Sequence, residues 1–282
     1  MSSLLNSSVS RREAAGLLAG ASVIGASLQT AMAKVPGVES SMLRSFPAEE
    51  ALQAVAVDEN YVYAIVNSAI GKYRKDTGER VAKWAGERDG AIRHLNSGVI
   101  LDGKLYCCNS NFPEIPMASS IEVFDPATLK HLHSQSFGID VGSATWLQRK
   151  DDHWFVVFAH YEGRGGMPGQ DYRHTQMVRY DSEWRRTGGW VFPPDVLEAF
   201  APQSNSGGVF GEDGLIYATA HHNKELYVLK FPAMGPVLES FGVIPNTTEG
   251  QGIAWDPVGD RVLWGISRER REVISWHVPN LV

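Results

Sequence analysis

The feature that most constrains this chain is a repeat. After residue 34, short β-rich runs separated by Asp, Gly, Asn and Pro turns recur in a fixed order, the pattern of a chain built from similar small sheets. Five units align, and their anchors at Tyr63, Tyr106, Phe155, Tyr217 and Leu263 lie 43, 49, 62 and 46 residues apart. The long interval holds an insert, GRGGMPGQDYRH. Four strands in about 45 residues is the spacing of a β-propeller blade. The fifth unit, GQGIAWDPVGDRVLWGISRERREVISWHV, is one strand short. The stretch SSMLRSFPAE (40–49), with Met42, Leu43 and Phe46, has the length to supply it, which closes the ring and removes an open edge. The expectation is an all-β chain folded as a five-bladed propeller closed by an N-terminal strand. Six blades is the alternative, and the repeat argues against a β-sandwich. PDVLEAFA (194–201) alone suggests a short helix, of about two turns.

Residues 1–33 differ from the rest. A twin arginine (Arg11, Arg12) precedes a weakly apolar run, and Ala31-Met32-Ala33 supplies small residues fit for cleavage. The segment reads as a cleaved export signal of the twin-arginine kind, with the ordinary secretory route as alternative. The remaining domain, 34–282, is then periplasmic or secreted. Gly16, Gly20 and Gly25 interrupt the short apolar run, so a stable membrane span is not expected. Net charge is −6 for the whole chain, and no basic cluster marks a nucleic-acid partner. The two cysteines, Cys107 and Cys108, are adjacent in KLYCCNSN. On a strand, neighbours face opposite ways, so they read as two buried small apolar residues. A strained vicinal disulfide is the alternative. No Cys/His zinc spacing is present.

In a propeller the second strand of each blade runs back towards the start of the first. The entries to first strands and the exits of second strands therefore gather at one end, around the axis. Aligning the units places Asn67, Asn109 or Ser110, His160, His221 or His222, and Arg268 at the exits. It places His94 and Asn96, Ser143, Asn205 and Ser206, and Gln251 at the entries. This ring is rich in His, Asn, Gln and Arg and poor in acids. The acids sit mostly in turns: Asp58, Asp102, Asp125, Asp181, Glu212, Asp213, Asp256 and Asp260. A glycosidase carboxylate pair or a calcium cage is therefore not expected. The candidate catalytic set is His221, His160 and Arg268, with His as proton carrier and Arg as carboxylate clamp. Candidate substrate-binding residues are His94, Asn109, Asn205, Gln251, His222 and His174. Strand alternation separates the roles of His221 and His222. The blade alignment selects His221 for the channel, makes His222 its outward neighbour bonded to a blade or loop, and pairs His221 with His160 one blade away. The glycine-rich insert is a candidate lid. SNSGG (204–208) allows either close approach to a ligand or relief of crowding at the axis.

The fourth and fifth units, SNSGGVFGEDGLIYATAHHNKELYVLKFP and GQGIAWDPVGDRVLWGISRERREV, resemble a group of exported bacterial propeller proteins. These are labelled cycloisomerase-like, for a distant similarity to carboxymuconate cyclases and lactonase-type propellers. The resemblance covers most of the chain after residue 33 and rests on blade motifs. It implies an isomerase, lyase or lactonase acting on a small oxygenated, anionic substrate in the central channel. Two other readings stay open: a non-catalytic propeller binding a sugar, peptide or protein, and a metal-dependent polysaccharide lyase or hydrolase. No cofactor is firmly implied, and a divalent metal on His160 and His221, with His94 or His174 as a third ligand, is compatible with the sequence.

Overall fold

A computed structural model describes residues 32–139 and 141–282. The export-signal reading falls on residues 1–33, of which 1–31 lie outside the described residues. Among the described residues, no helix is long and apolar enough to cross a membrane.

Among the described residues, twenty strands form five four-stranded antiparallel sheets, the blades of a five-bladed propeller. Strand β1 is Ser41–Pro47. Blade one holds β2 (Ala54–Val57), β3 (Tyr61–Val66), β4 (Ala69–Arg74) and β5 (Arg80–Ala85). Blade two holds β6 (His94–Leu101), β7 (Lys104–Ser110), β8 (Ala118–Phe124) and β9 (His131–Ile139). Blade three holds β10 (Ser143–Lys150), β11 (His153–Ala159), β12 (Gln176–Tyr180) and β13 (Arg186–Val191). Blade four holds β14 (Gly207–Phe210), β15 (Ile216–Thr219), β16 (Glu225–Lys230) and β17 (Glu239–Pro245). Blade five holds β18 (Ala254–Trp255), β19 (Val262–Ser267) and β20 (Glu272–His277). Its outer strand is β1, which pairs antiparallel with β20 from Ser41↔His277 to Pro47↔Glu272. The N-terminal closing strand is therefore as the sequence led us to expect, and a sixth blade is absent from the described residues.

The repeat has a chemical basis in its turns. Asp58 accepts from the backbone N–H groups of Asn60 and Tyr61 at 2.8 and 2.7 Å, which fixes the β2–β3 turn. Its other carboxylate oxygen accepts from the Tyr63 hydroxyl at 2.6 Å. Blade four repeats this arrangement with Asp213, the Leu215 N–H and the Tyr217 hydroxyl. In blade five the Trp264 indole donates to Asp256. Tyr63, Tyr217 and Trp264 are thus buried in the core while their polar ends hold the neighbouring turn.

Five apolar clusters fill the five interfaces between adjacent blades. Tyr63, Ile65, Leu105 and Phe124 pack between blades one and two. Ile121, Trp154 and Phe158 pack between two and three, and Trp146, Phe155, Ile216 and Tyr227 between three and four. Tyr217, Leu263 and Trp276 join four to five, and Phe46, Val62, Trp264 and Val273 join five to one. Phe46 of the closing strand is thus part of the final interface. The short helix α1 (Pro194–Phe200) begins with proline at its first position and buries Val196, Leu197 and Phe200.

Two ambiguities of the sequence are resolved here. Cys107 and Cys108 are free thiols on β7 and fully buried. They face opposite sides of the sheet, one in the cluster towards blade one and the other towards blade three. The glycines of SNSGG relieve crowding. A Cβ on Gly207 would lie 2.5 Å from the Gln251 carbonyl oxygen and 2.7 Å from the Gly252 Cα, which is backbone of the next blade.

Candidate functional site

The antiparallel register brings strand entries and exits to one end, as in the pairs His94↔Ser110, Ser143↔Ala159 and Gly207↔Thr219. A cavity of about 470 Å³ opens at that end. Every blade contributes to its wall: Gln53 and Asn67 from one, His94 and Asn96 from two, Thr145 from three, Ser206 and His221 from four, and Arg268 from five. Loops complete it with Arg93, Phe112, Tyr161, Glu162 and Arg164.

Of the candidate catalytic and substrate-binding residues, Arg268, His221 and His94 meet in this cavity, beside Asn67, Asn96 and Ser206 of the expected ring. Arg268 Nη1 lies 3.1 Å from His221 Nε2. A guanidinium only donates, so His221 Nε2 is the acceptor and its proton resides on Nδ1. His221 Nδ1 lies 2.8 Å from His222 Nε2, so that proton is shared with the neighbouring ring. The order is Arg268 to His221 to His222. Burial first, then His222, Arg268 and His94, lowers the His221 pKa to about 4. His94 also lines the cavity, with its ring 5.0 Å from that of Phe112. Burial first, then the charge of Arg268, lowers its pKa to about 4, with Arg164 contributing less. Both rings are therefore neutral at neutral pH. Burial, followed by Arg271, works against the charge of Arg268 itself.

The other candidates do different work. Asn109 is buried, and its Oδ1 accepts from the backbone N–H groups of Arg93 and His94, each at 3.1 Å. It therefore fixes the start of β6 behind the cavity wall. Gln251 adopts a left-handed backbone conformation, φ 70°, and its Nε2 donates to the His221 carbonyl at 2.8 Å. Asn205 ties blade three to blade four: its Oδ1 accepts from the Trp146 indole at 2.6 Å, and its Nδ2 donates to the Gly207 and Thr219 carbonyls. None of these three residues lines the cavity.

The expected meeting of His160 with His221 does not occur. His160 is buried on blade three, where its backbone N–H donates to Thr175 and its ring lies against Gly142. Its ring neighbour is His174, with centroids 6.1 Å apart. His174 in turn accepts from the Asp171 N–H in a capping box on the 3-10 turn Tyr172–His174. Neither histidine lines the cavity. The expectation that His222 points away from His221, to a blade or loop, is corrected as well. Both residues follow the end of β15 at Thr219, so strand alternation does not govern them.

The insert contributes Arg164 to the wall. Its guanidinium lies 5.7 Å from the Phe112 ring centre, and Gly165 packs against the same ring. Arg93 and Arg164 were absent from the sequence candidates. Arg93 directly precedes a candidate entry residue, which was the available signal. Arg164 lies in an insert with no counterpart in the other units. Among the described residues, the wall holds three arginines, two neutral histidines and one carboxylate, Glu162. It has no carboxylate pair for glycoside hydrolysis. Among the described residues, no three His, Cys, Asp or Glu side chains converge as a metal site, so the metal-dependent reading has no ligand set there.

No protein-family model matches the chain, and no curated protein matches it. Neither comparison joins it to the cycloisomerase-like group that the sequence resembles. Solved structures similar to it include the Chaetomium thermophilum Raptor, at 10% identity and TM-score 0.45, covering 86% of this chain and 29% of that one. They also include the RRP9 WD40 repeats, at 11% identity and TM-score 0.44, covering 86% of this chain and all of that one. The chain thus spans less than a third of the Raptor chain. The architecture and the cavity define a β-propeller with a polar, cationic pocket at one end of its axis.

Proposed function

We propose that this protein binds a small anionic, oxygenated molecule in the end cavity and acts on it as an isomerase or lyase, in the periplasm or outside the cell. The observation that carries this reading is the Arg268–His221 pair, set in a wall with three arginines and a single carboxylate. Arg268 is a bidentate donor in a partly desolvated site, the setting in which guanidinium binds carboxylate most strongly. It already rests on a neutral histidine, so exchanging that acceptor for an anion leaves the guanidinium better satisfied. His221 then has Nε2 turned to the ligand and serves as the proton-transfer group. Asn109 and Gln251 act as positioning residues, through His94 and the His221 backbone respectively.

A second reading shares the binding step and omits the chemistry. The low proton affinity of His221 beside Arg268, with a pKa of about 4, favours a ligand-binding propeller over a resident base. One experiment separates the two. The protein is screened by thermal shift against small carboxylates and their neutral amides, and each binder is incubated and followed by NMR. Stabilisation with turnover that is lost in His221→Ala supports the enzyme. Stabilisation without turnover supports the binding protein. No preference for anions over amides sinks both.

A further inference from the structure

The hydrogen-bond polarity of the Arg268–His221–His222 series has a consequence for anion binding, and it rests on the anion-binding reading above. We propose that an anion entering the cavity displaces Arg268 from His221 and draws a proton from solvent onto His221 Nε2, so that anion binding and proton uptake are one event.

The contact with Arg268 excludes that proton. Nε2 accepts from Arg268 at 3.1 Å, and a proton there would set N–H against N–H. The groups facing His221 are His222, Arg268 and His94. None is an anion, and Glu162, the carboxylate of the wall, is not among the groups that act on this ring, so no neighbour offsets a charge on it. Arg164 of the wall acts on His94, and Arg271 acts on Arg268, which adds further positive charge around the pair. An anion between Arg268 and His221 reverses each element. It accepts from the guanidinium, which then no longer donates to Nε2. It presents a second acceptor to the ring, which Nε2 can satisfy only when protonated. It also replaces the repulsion of Arg268 with an attraction at hydrogen-bond distance. His222 completes the arrangement: its Nε2 keeps accepting from His221 Nδ1 at 2.8 Å, so the added proton has only Nε2 to occupy. In an enzymatic cycle His221 then enters the complex as an acid.

The probe is sulfate, which keeps both charges through the pH range of interest. Its affinity is measured by calorimetry from pH 5 to pH 7.5, in two buffers of different ionisation enthalpy, for the wild type, His221→Asn and His94→Asn. The wild type should bind at least about tenfold more tightly at pH 5 than at pH 7 and take up a proton on binding. Asparagine at 221 should leave binding independent of pH, while asparagine at 94 should keep the slope. Binding with no pH dependence, or a slope that survives in His221→Asn, overturns the proton linkage and leaves the anion site standing. Failure of the wild type to bind sulfate at any pH overturns the linkage together with the anion reading.

Discussion

Arg268 Nη1 and His221 Nε2, 47 residues apart in the chain, lie 3.1 Å apart at the cavity wall. Arg268 directly follows β19 of blade five, and His221 follows β15 of blade four. The pair therefore bridges two blades at the end where second strands exit. Its direction is set by chemistry alone, since arginine has no acceptor. Both rings near it, His221 and His94, are held neutral by burial and by that arginine.

Stability should fall on acidification. The pKa values of His221 and His94 are lowered from 6.5 to about 4 in the folded chain. Between these values the unfolded chain binds more protons than the folded one, so stability is greatest above about pH 6.5 and declines towards pH 4. Allowing for the partial exposure of both rings, each contributes about 1–2 kcal/mol over that window. Urea midpoints at pH 7 and pH 5 measure it. His221→Asn and His94→Asn should each flatten the profile, and an unchanged slope in both variants would contradict the assignment.

Closure of the ring depends on β1. Phe46 is 6% exposed, and its ring packs against Tyr73 at 6.0 Å and Trp264 at 6.2 Å. Phe46→Ala removes the largest buried side chain that the closing strand brings to the interface of blades five and one. A loss of about 3–5 kcal/mol is expected from the cavity left behind. Leu43→Ala on the same strand, at a side chain that is 56% exposed, should cost under about 0.5 kcal/mol. Equal effects from the two variants would show that β1 does not seal the ring in this way.

The two thiols should be inert in the folded protein. Cys107 and Cys108 are fully buried on opposite faces of β7. Burial pushes both thiols up, that of Cys108 to about 12. A thiol-reactive dye at pH 8 should label neither in the native state and both in denaturant. Rapid native labelling, or a vicinal disulfide found by mass spectrometry, would contradict this placement.

The blade repeat was legible because Tyr63 and Tyr217 do one job twice, filling an interface and holding a turn aspartate. The closing strand was legible because Phe46 is an apolar residue in the right register of a short β-rich run. Arg268, His221 and His94 were legible because strand ends converge by topology, whatever the loops do. His160 occupies an equivalent exit, yet its backbone is tied to Thr175 and its ring is tucked beside Gly142, so the rule of convergence did not carry it to the wall. Asn109, Asn205 and Gln251 have the right chemistry for a ligand but spend it on backbone and indole partners of their own fold. Arg164 was hidden because its insert has no repeat partner, and its position follows from contact with Phe112.

The central claim is that Arg268 is the anion clamp of this cavity. Its most direct measurement is calorimetric affinity for one carboxylate found in the screen, and for its neutral amide, with the wild type, Arg268→Lys and Arg268→Ala. A charge-assisted hydrogen bond contributes about 1.5–3 kcal/mol, so Arg268→Ala should weaken carboxylate binding by about 10- to 100-fold. Lysine should recover only part of that, because it lacks the planar fork. Affinity for the amide should change little, and the urea midpoint of Arg268→Ala should stay near that of the wild type. Carboxylate affinity unchanged in Arg268→Ala, with the fold intact, would contradict the claim.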